Sequence, residues 1–124
     1  MTSETFGSYL KSLRIAKGMG LRTFAQNIGM FPSNLSDIEH GKKPPPRDPV
    51  RLAELAEALG IKRGSDEWEK LHNLSVPPDR IPPDLVEYAR KHHEVVPLLL
   101  RTAARRKLSR EELQRLIERI KQYF

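Results

Sequence analysis

The residues able to do chemistry fall into three groups along a chain of 124 residues. The densest group lies in LRTFAQNIGMFPSNLSDIEHG, Leu21 to Gly41, where Ser33, Asn34, Ser36 and Asp37 form the outer face of one helical segment, with Lys42, Lys43 and Arg47 following it. Small polar side chains of this kind, with no large apolar group among them, make a face able to enter a groove: Ser33 can donate or accept, Asn34 offers a donor and an acceptor, and Asp37 can only accept. The second group, His92, His93 and Glu94, invites a metal reading. Adjacent histidines on a helix point about 100° apart, however, no His-Glu-x-x-His spacing occurs, and His40 and His72 lie in other segments, so neither a metal site nor a cofactor is expected. The third, Arg105-Arg106-Lys107, reads as cations completing a helix C-terminus. No nucleophile–base set, phosphate-cradling glycine loop or carboxylate pair stands out, and there is no cysteine, so catalysis is not expected and disulfide or thiolate chemistry is closed.

Such residues need short helices to hold them. All seven glycines lie in the first 64 positions, at 7, 18, 20, 29, 41, 60 and 64, and separate apolar-periodic segments, as where helices end in a residue of positive φ. Phe6, Leu10 and Leu13 share a face in the first segment, and Leu21, Phe24, Ala25 and Ile28 in the second. Leu35 and Ile38 do so in the third, and Leu52, Leu55, Ala56 and Leu59 in the fourth. Ser65, followed by Asp66 and Glu67, predicts the cap of a fifth helix that buries Trp68 and Leu71. Sustained strand alternation is absent, so the expected fold class is all-α. Prolines at 77, 78, 82 and 83 make residues 76–83 a stiff, extended connector. Beyond it, residues 83–91 and 94–106 predict two helices. Ser109 and Glu112 form a capping box for a last helix, whose Leu113, Leu116, Ile117, Ile120 and Phe124 lie on one stripe.

Charge and hydropathy narrow the partners. With 22 Lys+Arg against 16 Asp+Glu, the formal charge of +6 favours nucleic acid or another anionic surface. The longest apolar run, Val95 to Leu100, falls far below the ~18 residues that span a bilayer, and the N-terminus has no signal-peptide core. A soluble, cytoplasmic protein without a membrane partner is therefore expected.

A helix carrying Ala25 is followed four residues later by Gly29, then Met30, then a helix opened by Pro32 that packs Leu35 and Ile38 inward. Two helices crossing steeply through a short turn need a small side chain at the crossing and a residue of positive φ at the turn. Ala25 and Gly29 supply them. With this Ala-x-x-x-Gly core, FGSYLKSLRIAKG before it, LSDIEHGKKPPP after it and LAELAEALGI beyond, the chain resembles the lambda-repressor-like helix-turn-helix regulators, the Cro and XRE family, over residues 5–60.

The resemblance implies a lambda-repressor-like five-helix DNA-binding unit followed here by a small C-terminal helical region. Residues 1–75 would be the DNA-binding domain, 76–83 a proline-rich linker, and 84–124 a dimerisation or interaction region. Base-reading positions would fall on Phe31, Pro32, Ser33 and Asp37, with Asn34 beside them. Backbone-binding positions would fall on Arg22, next to Leu21, and on Lys42, Lys43 and Arg47. Arg14 and Glu39 would form a partly buried, structural ion pair. The implied function is sequence-specific transcriptional regulation, with a repressor acting as a homodimer on near-palindromic double-stranded DNA. Half-sites about one helical turn apart need a two-fold interface, which the C-terminal helices would supply. Two positions depart from the family pattern. Leu21 stands where glutamine is frequent, and Phe31 where a polar cap is usual. Gly20 and Phe31 therefore offer no side-chain oxygen to the free N–H groups of the helix starts, which a phosphate could satisfy instead. The alternatives are C-terminal helices that cap the first domain, or an antitoxin or adaptor whose residues 84–124 grip another protein while DNA binding serves autoregulation.

Overall fold

The computed structural model describes residues 4–124, and among them it contains helices and turns but no strand. The helices are α1 (Phe6–Ala16), α2 (Leu21–Asn27), α3 (Pro32–Glu39), α4 (Pro49–Ala58) and α5 (Asp66–Leu74), then α6 (Val86–Lys91), α7 (Val96–Arg105) and α8 (Arg110–Tyr123). The fold is all-α, as the periodicity requires. The chain divides into two compact units, the first ending at Val86 and the second running from Glu87 to Phe124.

In the first unit the periodic residues meet in one core. Phe6, Leu10, Leu13, Phe24, Ala25, Ile28, Leu35, Ile38, Leu52, Leu55, Ala56 and Leu59 are all buried, joined by Ile61 and Leu71. α1 packs across α3 and α5, α2 packs across α3, and α4 lies against α5. The helix starts are tied locally. Asp48 Oδ1 accepts from the Val50 N–H at 3.0 Å, and Ser65 Oγ from the Trp68 N–H at 3.2 Å. α1 also has a reciprocal capping box that the sequence reading does not mark. The Ser8 N–H donates to Thr5 Oγ1 at 3.1 Å, and the Thr5 N–H donates to Ser8 Oγ at 3.0 Å. Serine here replaces the usual glutamate or glutamine.

Trp68 is only half-buried, contrary to expectation; the residue sealed beneath it is His72. The two rings stack with centroids 3.7 Å apart, and His72 Nδ1 lies 2.8 Å from the Trp68 carbonyl oxygen. The connector also differs from a straight strap. A turn forms at Pro77–Arg80, closed by the Arg80 N–H on the Pro77 carbonyl at 3.0 Å. The next segment enters α6 through a 3-10 turn at Pro83–Leu85, closed by the Val86 N–H on the Pro83 carbonyl.

In the second unit, α8 starts with the expected capping box. The Glu112 N–H donates to Ser109 Oγ at 3.1 Å and the Ser109 N–H to Glu112 Oε1 at 3.0 Å; the latter bond holds the Glu112 carboxyl below its ordinary pKa. No side chain of α6, α7 or α8 is buried. The apolar stripe therefore lies open, with Leu113, Leu116, Ile117 and Ile120 between 37% and 48% exposed. Among the described residues no helix is long and apolar enough to cross a membrane.

α7 ends in a left-handed residue without using glycine. Lys107 adopts φ 50°, its N–H donating to the Ala104 carbonyl at 3.0 Å and the Leu108 N–H to the Ala103 carbonyl at 3.2 Å. A side chain costs energy in this conformation and glycine does not. Lys107→Gly is expected to stabilise the second unit by about 0.5–1 kcal/mol, net of the greater freedom of glycine in the unfolded chain. Urea unfolding of the full chain, followed by far-UV circular dichroism, checks this; a lower midpoint for the variant would refute it.

Candidate nucleic-acid interface

The centre of the candidate interface is the α2–α3 corner. α2 ends at Gly29, φ +63°, whose N–H donates to the Gln26 carbonyl at 3.1 Å while the Met30 N–H reaches the Ala25 carbonyl at 2.8 Å. This paired closure needs the left-handed conformation, which a side chain at position 29 would strain. Ala25 is fully buried. Phe31 then caps α3, with Pro32 in its first turn, and Leu35 and Ile38 anchor α3 in the core. Neither Gly20 nor Phe31 makes a side-chain cap bond, so the first N–H groups of α2 and α3 have no side-chain acceptor at the cap.

Two contacts hold α3 from behind. Gly7 on α1 lies so close that a Cβ there would sit 2.2 Å from the Ile38 carbonyl oxygen and 2.6 Å from that of Glu39. Arg14, two turns further along α1, grips the Glu39 carboxylate in a bidentate pair, with Nε to Oε2 at 2.7 Å and Nη2 to Oε1 at 2.9 Å. Its remaining Nη1 donates to the Met19 carbonyl at 2.9 Å. The hydrogen bonds to Glu39 hold the guanidinium above its ordinary pKa. Both side chains are buried, at 9% and 1% exposure. The sequence reading misses Gly7. The available signal is its place on the face shared by Leu10 and Arg14, three and seven residues on, where an apolar side chain would be expected to continue the stripe.

The outward face of α3 carries the candidate reading residues. Phe31 is 73% exposed, Ser33 is exposed, and Pro32, Asn34, Ser36 and Asp37 are half-buried. Lys43 is brought to two of them. Its Nζ hydrogen-bonds Asn34 Oδ1 and lies 3.7 Å from Asp37 Oδ2. Arg22, Lys42 and Arg47 are exposed, and among the described residues none has an acidic group within ion-pair distance. Phe31, Asn34 and Lys43 also border an open groove of about 540 Å³ with Arg51, a cation that the sequence reading passes over and that pairs with Glu54 at 3.0 Å.

The other chemically suggestive residues lie apart from this face. His92, His93 and Glu94 fall in the turn between α6 and α7, with His92 tilted against Tyr88 and His93 Nδ1 3.2 Å from the Arg90 carbonyl oxygen. Among the described residues no group of three or more histidine, aspartate or glutamate side chains is placed to hold a metal ion.

A sequence profile described as a helix-turn-helix domain matches residues 5–67. No curated protein and no solved structure matches the chain. The matched span covers α1 to α4 and the start of α5, and within it α2, the Gly29 turn and α3 are the two helices and corner that give such a domain its name. The chain belongs to the helix-turn-helix domain family.

Proposed function

We propose that the protein is a sequence-specific, DNA-binding transcriptional regulator of the lambda-repressor-like, Cro and XRE kind, a cytoplasmic repressor acting as a homodimer on a near-palindromic operator. The observation that carries this reading is α3 itself, an outward, solvent-reachable face of small polar side chains on a helix locked from behind by Gly7 and the buried Arg14–Glu39 pair. Ser33, Asn34 and Asp37 read base edges in the major groove, and the exposed Phe31 and half-buried Pro32 offer apolar contact to a thymine methyl group. Arg22, Lys42 and Arg47 hold the phosphate backbone and set the salt dependence. Phosphate oxygens also serve the N–H groups that Phe31 leaves free at the start of α3. The open apolar stripe of α8, with Leu98 and Leu99 of α7, pairs two subunits.

The phosphate role of Lys42 has a sharp consequence. Lys42→Ala is expected to weaken binding to all duplexes alike and to reduce the slope of log K against log salt by about 1, with base preference unchanged. Fluorescence anisotropy over a salt series reads both effects, and a lost base preference at an unchanged slope would refute the role. The whole reading is tested by selecting duplexes from a random pool at about 150 mM salt, where non-specific phosphate attraction is partly screened. An enriched palindrome with half-sites about ten base pairs apart supports the dimeric regulator. Absence of any enriched sequence with folded protein counts against it.

The exposed faces of α7 and α8 also favour a second reading, in which residues 84–124 bind another protein, as in an antitoxin or adaptor, and DNA binding serves autoregulation. Equilibrium sedimentation separates the two. A dimer of the purified chain supports the homodimer, whereas a monomer that forms a one-to-one complex with a co-expressed partner supports the adaptor.

A further inference from the structure

Lys43 is the cation of the basic segment that turns back onto the recognition helix. Its backbone N–H and that of Lys42 both donate to the Asp37 carbonyl, at 3.2 and 2.8 Å, which seats the start of the loop on the last turn of α3. From there its side chain runs back along the helix, so that Nζ hydrogen-bonds Asn34 Oδ1 and lies 3.7 Å from Asp37 Oδ2. The Lys43 side chain is 49% exposed and that of Asp37 35%, so the cluster remains reachable from outside.

An asparagine reads adenine by accepting from N6–H with its oxygen while donating to N7 with its nitrogen. Here the oxygen already receives a charged donor, and the ammonium beside it repels another N–H donor. What remains to be offered is the Asn34 NH₂ group and the other N–H bonds of Lys43, a surface of donors. Among major-groove edges, guanine presents two acceptors, O6 and N7, and no donor. Asp37, its charge partly offset by Lys43, is left to accept from a cytosine amino group.

We propose that Lys43 sets base specificity by converting Asn34 from an adenine reader into part of a guanine-reading donor pair. The assignment rests on the DNA-binding reading above and departs from the phosphate role that the position in the family pattern implies. Lys43 is here a base contact and a positioning residue for Asn34.

Duplex selection and anisotropy with the full chain test it, using Lys43→Met, which keeps the apolar stem and removes the donors, beside Lys42→Met. Wild-type protein is expected to require guanine at one position of each half-site. Lys43→Met is expected to lose roughly ten-fold or more of the preference for guanine over adenine there, the size of one good base contact. Asn34→Ala should lose the same preference, with Lys43→Met adding little on that background. Lys42→Met should lower the salt slope and leave the preference intact. If Lys43→Met lowers the salt slope as Lys42→Met does while guanine remains preferred, Lys43 is a phosphate contact and the assignment falls alone. If wild-type protein enriches no sequence, the regulator reading and the assignment fall together.

Discussion

Gly7→Ala is expected to destabilise the protein by about 3 kcal/mol, although alanine is the better helix former. Propensity alone would favour alanine, by less than the about 1 kcal/mol of a helix interior because Gly7 lies in the first turn of α1. The opposing term is steric. The new Cβ would lie 2.2 Å from the Ile38 carbonyl oxygen, 2.6 Å from that of Glu39 and 2.9 Å from the Glu39 carbonyl carbon. All three atoms belong to backbone, so no side chain can swing away; α1 and the last turn of α3 must separate. Separation loosens the packing of Leu10 and Ile38 and lengthens the Arg14–Glu39 hydrogen bonds, losses that lie on the same side of the ledger as the overlap itself. Urea unfolding monitored by circular dichroism gives the stability change, and an unchanged or raised midpoint would show that the helices do not approach this closely. Because the displaced element is α3, specific DNA binding should fall further than non-specific binding in the same variant.

The first unit was legible because each of its helices carries an apolar period, and the glycine after each of the first four marks the end. The helix-turn-helix corner was legible for the same reason, since Ala25 and Gly29 are local requirements of a tight crossing. Gly7 was not, because its reason lies more than 30 residues away at Ile38 and Glu39, and a period counts only neighbours. The Thr5–Ser8 box leaves no ordinary sequence signature because a serine hydroxyl takes the place of the expected carboxylate or amide. The burial of His72 under Trp68 was hidden by composition, where a histidine reads as surface or ligand before it reads as core. Lys43 shows the limit most clearly. In the sequence it stands beside Lys42 as one more cation, whereas the fold separates them by what each side chain meets, Asn34 and Asp37 for one and open surface for the other. The stripe on α8 was equally plain, but periodicity specifies that a face is apolar and not which surface covers it.

Breaking the Arg14–Glu39 pair from either side should cost more than any other single change considered for this chain. Arg14→Met and Glu39→Met are each expected to lose about 3–5 kcal/mol, because the surviving partner keeps its place in a site where water reaches only 9% of the arginine side chain and 1% of the glutamate. Glu39→Met leaves a buried guanidinium facing an apolar thioether, with only the Met19 carbonyl still accepting from it. Arg14→Met leaves a buried carboxylate that has lost two charged donors. The double variant Arg14→Met/Glu39→Met strands neither charge, so it should lose much less than the sum of the singles, with a coupling of about 3 kcal/mol in a double-mutant cycle. Single losses below about 1 kcal/mol would mean that solvent screens the pair. The arginine's contribution should also hold across neutral pH. Its pKa is raised by the hydrogen bonds to Glu39, so the linked stability is present below the ordinary guanidinium range and is lost only as pH climbs through the raised value. The double variant further separates stability from geometry. Two methionines can fill the space, but they cannot reproduce the bidentate fork that sets the angle of the last α3 turn against α1. If the pair serves only stability, the double variant should bind operator as wild type does. If it also aims α3, specific binding should remain impaired after the fold has recovered, and the second outcome is the one that a fork between two helices, held at 2.7 and 2.9 Å, leads us to expect.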